Sequence, residues 1–194
     1  MEVFKMNKGL NITLSVLTKI AEIALWIGAV AVIVACVGCA FDTNGMNELL
    51  LENKELVNPA MTLNAVSDTG EINFFAVITF FIGTSITLVL TALIFRNIYN
   101  ILATIAGRNK HTESTSPFQK DVIRMIKEIG IFSIATPVIG FVVSTIITAV
   151  SIINGTASET SVSLNSVIIG LMCFCLTQIF TYGAELEEEV DGLV

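Results

Sequence analysis

Residues 129–153 read IGIFSIATPVIGFVVSTIITAVSII, with no Asp, Glu, Lys, Arg or His anywhere in the run. A helix in a soluble core presents a polar face to water on every turn, and this stretch has none. About 20 helical residues cross a hydrocarbon core of about 30 Å, so the run predicts a membrane span. Working outward, three more uncharged runs meet the same criterion at 162–184, 72–95 and 23–41. Backbone N–H and C=O groups find no water inside hydrocarbon, and the runs lack the alternation of barrel strands, so each is expected as a helix.

The whole chain agrees with its spans. Of 194 residues, 54% are hydrophobic and 14% charged, and the mean hydropathy is +0.81. Soluble domains average roughly 25% charged residues, so a water-soluble globule is excluded. Three prolines and 13 glycines are too few for low complexity, and four cysteines are too sparse for a secreted disulfide scaffold. The expected fold is all-α: four transmembrane helices in a compact bundle, a single domain over 1–194.

Orientation follows from the cations. Lys5, Lys8 and Lys19 precede the first span, and Arg96, Arg108, Lys110, Lys120, Arg124 and Lys127 lie between the second and third. The segment 42–71 has Lys54 alone against six acids, and the loop 154–161 has only Glu159. By the positive-inside rule both termini and the 96–128 hairpin face the cytoplasm, with the acidic tail 185–194 beside them and 42–71 outside. Lys5 and Lys8 followed by Ile33-Val34-Ala35-Cys36 resemble a lipoprotein signal, but the apolar run exceeds a signal core, which favours an uncleaved first helix. No segment concentrates enough positive charge for direct binding of nucleic acid.

Small and hydroxyl residues recur at helical spacing and mark the expected packing faces. They are Ala24, Gly28, Ala31, Ala35 and Gly38 in the first span; Gly83, Thr84, Thr87 and Thr91 in the second; Ser133, Pro137, Gly140, Ser144 and Ser151 in the third; and Ser166, Gly170, Cys173, Thr177 and Ala184 in the fourth. Pro137 removes one backbone bond and should bend its helix. Asn165 and Gln178 read as interhelical or interface groups, and Glu22 as an ion-pair partner of Lys19. Met46–Leu56 reads as a short interfacial helix.

Chemistry is sparse. Cys36, Cys39, Cys173 and Cys175 lie in apolar helices without a neighbouring histidine and read as small hydrophobes. The single histidine, His111, cannot complete a triad or a two-histidine metal motif, so neither enzyme, cofactor nor metal is expected. The features left over are cytoplasmic. The second span continues as a helical stripe to Gly107, a natural C-cap; Ser116-Pro117 opens a helix bearing Phe118, Arg124 and Lys127; and the tail carries Glu185, Leu186, Glu189 and Asp191. These seven residues are the candidate partner-binding set, and the tail is expected to pair with Arg124 and Lys127. The alternative is a small-molecule transporter, channel or immunity-type protein using the hydroxyl stripes.

Pro117-Phe118, Val122-x-Arg124-x-Ile126, Ile129-Gly130, Ile179-Phe180 and Gly183-x-x-Leu186-x-x-Glu189-x-Asp191-x-Leu193-Val194 together carry a resemblance. The chain resembles the bacterial four-span membrane family catalogued as domain of unknown function twenty-nine seventy-five. That resemblance implies a multi-pass inner-membrane protein of no established activity, often encoded beside a small helix-turn-helix regulator.

Overall fold

The structure, a computed structural model, describes residues 8–41, 50, 55–64, 72–108, 118–154 and 159–192. In chain order the elements are α1 (Lys8–Phe41), β1 (Glu55–Val57), β2 (Met61–Asn64), α2 (Phe74–Ile105), α3 (Lys120–Asn154), β3 (Thr160–Val162) and α4 (Asn165–Asp191). All four helices are long and apolar enough to cross a membrane. They hold 34, 32, 35 and 27 residues, or roughly 40–52 Å at ~1.5 Å per residue, so each outruns a hydrocarbon core of about 30 Å. The first begins well before Ile23, and α3 runs without a break through Pro137. The cap expected at Gly107 is present: its φ is 66°. Gly107 N–H donates to Thr104 O at 2.9 Å and Arg108 N–H to Ala103 O at 2.9 Å, the paired bonds that close a helix on a left-handed glycine. Ser116-Pro117 and His111 lie outside the described residues.

The helices pack in chain order, α1 on α2, α2 on α3 and α3 on α4. Among the described residues α1 shares no comparable interface with α4. The arrangement is an open series rather than a closed square, and α1 and α4 therefore keep broad apolar faces uncovered. The stripe expected to pack on α1 is corrected here, since Ala24, Ala31 and Gly38 are exposed. The buried seam instead runs Asn11, Ser15, Thr18, Glu22, Ala29 and Cys39, with Leu25, Val32 and Cys36 half-buried along it. With one neighbour to pack against, α1 turns its polar groups toward α2, where Arg108 bonds Asn11 and Ser15 and the Lys19–Glu22 pair lies beside Tyr99. The stripes expected on α2 and α3 do face inward: Gly83, Thr84, Thr87, Ser133, Pro137, Gly140 and Ser151 are buried.

Close contacts set the depth of each helix. Gly83 faces Val143, and Asn73 donates to Ser151 Oγ at 3.0 Å while accepting from Ala76 N–H as the α2 cap. Gly170 lies so near Gly130 that a Cβ on Gly170 would fall 3.0 Å from the Gly130 carbonyl oxygen. In antiparallel packing this register brings the start of α4 alongside the residues around Pro137. The rest of α3 runs on past it, with no fourth helix beside it.

A small sheet occupies that position. Strands β1, β2 and β3 form one antiparallel sheet, with Leu56 opposite Leu63 and Thr62 opposite Ser161. Alternation along β2 turns Met61 and Leu63 into a core with Ala76, Phe80, Val143 and Ile147. At the hairpin tip, Asn58 Oδ1 accepts from the N–H groups of Ala60 and Met61 at 2.8 Å each, and Asn58 Nδ2 donates to Thr84 Oγ1 at 2.7 Å. Thr84 lies roughly 15 Å down α2 from Phe74. Irregular backbone survives at such depth only inside protein, and Ala60 is buried with its carbonyl bonded to Ser163 N–H at 2.8 Å. Two expectations change accordingly. Glu55 and Leu56 belong to a strand rather than to an interfacial helix, and Val162 ends β3 rather than opening the fourth span. The remainder of 46–54, Leu50 aside, lies outside the described residues.

Gly140 seats the hairpin, because a Cβ there would meet Ala60 O at 2.9 Å. Gly140→Val should lower unfolding stability in detergent by about 1–3 kcal/mol through overpacking. Gly38→Ala, with nothing within 4 Å of its new methyl, should be neutral or stabilising by up to about 1 kcal/mol. Equal midpoints for the two variants in a thermal unfolding series would show that the hairpin is not seated there.

Candidate functional site

Charge and polarity gather at one end of the helices, where α2, α3 and the first half of α1 run past the uncharged segments. On the α1 side, Lys19 Nζ lies 2.8 Å from Glu22 Oε2 and 5.1 Å from the centre of the Tyr99 ring. The expected ion pair is present, and it joins a buried carboxylate to an ammonium that also sits on an aromatic face. Arg108 Nη2, just past the glycine cap, donates to Asn11 Oδ1 and Ser15 Oγ. The polar seam of α1 is thus closed from the end of α2.

Between α2 and α3 the polar groups line a cleft of about 300 Å³, bounded by Leu93, Arg96, Asn97, Asn100, Arg124, Met125, Glu128 and Phe132. Asn97 is buried and donates through Nδ2 to Glu128 Oε2 at 3.0 Å. Arg124 lies 3.6 Å from Asp121 and 3.7 Å from Glu128, both on its own helix, with two thirds of its side chain exposed. Such solvated pairs contribute only ~0–1 kcal/mol each, so Arg124 can exchange partners. Arg96 entered the sequence reading only as an orienting cation, and Asn97 and Asn100 did not enter as site residues. Their signal was there: polar side chains at the spacing of one helix turn, where the uncharged run of α2 ends.

The seven sequence candidates fall into three groups. Phe118 is half-buried, its ring 5.4 Å from that of Phe180 and close enough to Gly183 that a Cβ there would come within 2.7 Å of it. It joins the start of α3 to the base of the tail. Arg124 and Lys127 are exposed on α3. Glu185, Leu186 and Glu189 are exposed on the last turns of α4, which stays helical to Asp191 and ends with Gly192 N–H donating to Glu188 O at 3.1 Å. The Asp191 side chain, Leu193 and Val194 lie outside the described residues. Phe118 apart, this set shares one end of the molecule without converging on a single point.

The threonines of the spans bond within their own helices, whereas Ser144 pairs with Thr160 of β3 and Ser151 accepts from Asn73 of α2. Thr84 donates to Phe80 O, Thr87 to Thr84 O, Thr91 to Thr87 O, Thr136 to Phe132 O and Thr177 to Cys173 O, at 2.8–3.0 Å. Asn165 and Gln178 are exposed on α4, away from the interhelical seams. Cys36, Cys39, Cys173 and Cys175 are free thiols, and the described residues hold no group of three or more metal-binding side chains. At the opposite end, a shallow concavity of about 430 Å³ on the sheet is lined by Glu55, Thr62, Asn64, Glu159, Thr160 and Ser161. No family model, no curated protein and no solved structure matches this chain.

If Phe118 holds the tail base against α3, Phe118→Ala and Gly183→Val should each destabilise the detergent-solubilised protein. The expected cost is about 1–3 kcal/mol, from a lost ring contact in one case and a clash in the other. Both should also speed proteolysis between 108 and 120 without altering cleavage elsewhere. Unchanged cleavage in both variants would separate the hairpin from the tail.

Proposed function

We propose that this chain is a non-enzymatic, multi-pass protein of a bacterial cytoplasmic membrane that binds a protein partner through its inner hairpin and acidic tail. Both termini and the 96–128 hairpin then face the cytoplasm, in keeping with the confinement of nine of the ten Lys and Arg residues to that side.

The observation that carries the reading is the extension of α4. Ile179, Tyr182, Leu186 and Val190 follow one another at helical spacing and are all exposed. The line starts in the uncharged run and continues among Glu185, Glu187, Glu188 and Glu189, where lipid no longer covers it. Burying a Leu or Val side chain is worth about 1.5–3 kcal/mol, so Leu186 and Val190 give a partner an apolar stripe, and the flanking acids favour one with a basic rim. Exposed Lys127 and Arg124 on α3 supply charge of opposite sign at the same end. A non-enzymatic role is supported by Glu22: its carboxylate, the charged group buried among the described residues, is already engaged by Lys19. The partner implied by the family resemblance, a small helix-turn-helix regulator, is the first to test.

Co-purification from detergent decides the reading. The full chain should retain a specific cytoplasmic protein. Removal of 185–194, or Arg124→Glu with Lys127→Glu, should cut recovery at least about tenfold, the scale of losing two solvated contacts and an apolar stripe. Recovery of the same protein by every form would remove the tail and hairpin from the interface. In a background without native cysteines, His111→Cys and Leu186→Cys should both resist an impermeant thiol reagent in intact cells; labelling of either from outside would reverse the orientation.

A further inference from the structure

The cleft between α2 and α3 has a composition of which partner docking uses Arg124 alone. Arg96 is the first charged residue after the uncharged run of α2, and Glu128 is the last before the uncharged run of α3. The cleft therefore lies where the uncharged runs of α2 and α3 both end. Its lining divides in the same way. Leu93, Met125 and Phe132 are apolar, while Arg96, Asn97, Asn100, Arg124 and Glu128 are polar. Arg96 is exposed, Asn100 half-buried and Arg124 largely exposed, so two guanidinium groups and an amide are accessible around one opening. Glu128 accepts from Asn97 and lies 3.7 Å from Arg124, so the carboxylate is partly offset by a guanidinium on its own helix.

We propose that this cleft binds the phosphate of an anionic phospholipid headgroup, with Arg96 and Arg124 pairing the phosphate oxygens, Asn100 donating a further hydrogen bond, and Leu93 and Phe132 lying against the first carbons of the acyl chains. Guanidinium groups suit phosphate because their planar fork donates two parallel hydrogen bonds. Basic recesses between helices on the cytoplasmic side are where such headgroups are held. The ligand is a lipid rather than a free phosphate because a soluble anion gains nothing from the apolar half of the lining, whereas a lipid already in the bilayer satisfies both halves at once. Arg124 exchanges Asp121 for the phosphate, a small loss for a pair so solvated. Arg124 belongs to the proposed partner-binding set as well, whereas Arg96 and Asn100 belong to the cleft alone, so the Arg96 variant separates the two readings.

The full chain in nanodiscs of equal phosphatidylglycerol and phosphatidylcholine, released into native mass spectrometry, gives the test. The unaltered protein should retain phosphatidylglycerol in preference to phosphatidylcholine. Arg96→Gln should reduce that preference about fivefold, and Arg96→Gln with Arg124→Gln about twentyfold, the loss expected from one and two basic residues near an anionic surface. Lys120→Gln removes one charge from the same helix outside the lining and should leave the preference unchanged. Both arginines are exposed, so the variants should keep the unaltered thermal midpoint, which is measured alongside. Equal retention of both lipids by the unaltered protein would overturn the proposal. So would an equal loss in Lys120→Gln, which would reduce the effect to general surface charge. Displacement of phosphatidylglycerol by millimolar inorganic phosphate would assign the cleft to a soluble anion and overturn the lipid.

Discussion

A polar group removed from water must find its bonds within the protein, and the packing of these long apolar helices follows from that constraint. The helices satisfy their own backbones, and their threonines bond back to the carbonyl a turn earlier. Where a side chain cannot close its bonds locally, it selects the packing face. Asn11, Ser15, Thr18 and Glu22 turn α1 toward α2, and the bonds from Arg108 and the Lys19 pair complete that seam. Glycine and alanine exert no such compulsion, so the small-residue stripe of α1 faces outward.

The same constraint explains how a sheet comes to lie beside the upper part of α3. The fourth helix starts beside the residues around Pro137 because Gly130 and Gly170 bring α3 and α4 into contact at that depth. Beyond that level α3 has no α4 beside it, and the hairpin 55–64 with β3 covers the apolar flank that α2 and α3 share. An open strand edge in lipid would be prohibitive. The tip of the hairpin is held inside protein, with Ala60, Met61 and Leu63 buried, Asn58 capping the turn and its amide bonded to Thr84. Part of the segment between the first two long helices thus packs as a wall against α2 and α3, and Gly140 gives the hairpin room to approach the α3 backbone.

At the basic end the requirement relaxes. Water and headgroups satisfy charges there, so the contacts are looser and more exposed, and the surface can be addressed by other molecules. Phe118 against Phe180 and Gly183 holds the hairpin and tail together, while Arg124, Lys127 and the acids of α4 remain on the outside. A protein partner would meet the tail and the outer face of α3. A lipid headgroup would enter between α2 and α3.

Four helices long and apolar enough to cross a membrane, the ion pair of Lys19 with Glu22 and the glycine cap at 107 were all legible in the amino-acid sequence. Each depends on local properties: the length of an uncharged run, a one-turn spacing, a residue free to adopt positive φ. Of the candidate site, the exposed tail and the charged face of α3 could be read in the same way. Tertiary structure alone decided which face of α1 is buried, how far α4 is displaced along α3, that part of 42–71 becomes two strands, and that Arg96, Asn97 and Asn100 share a cleft with Arg124. Those outcomes depend on which polar groups find partners across helices, and on how closely two backbones approach at Gly130, Gly140 and Gly170. A pattern along one helix carries no record of the depth at which its neighbour lies.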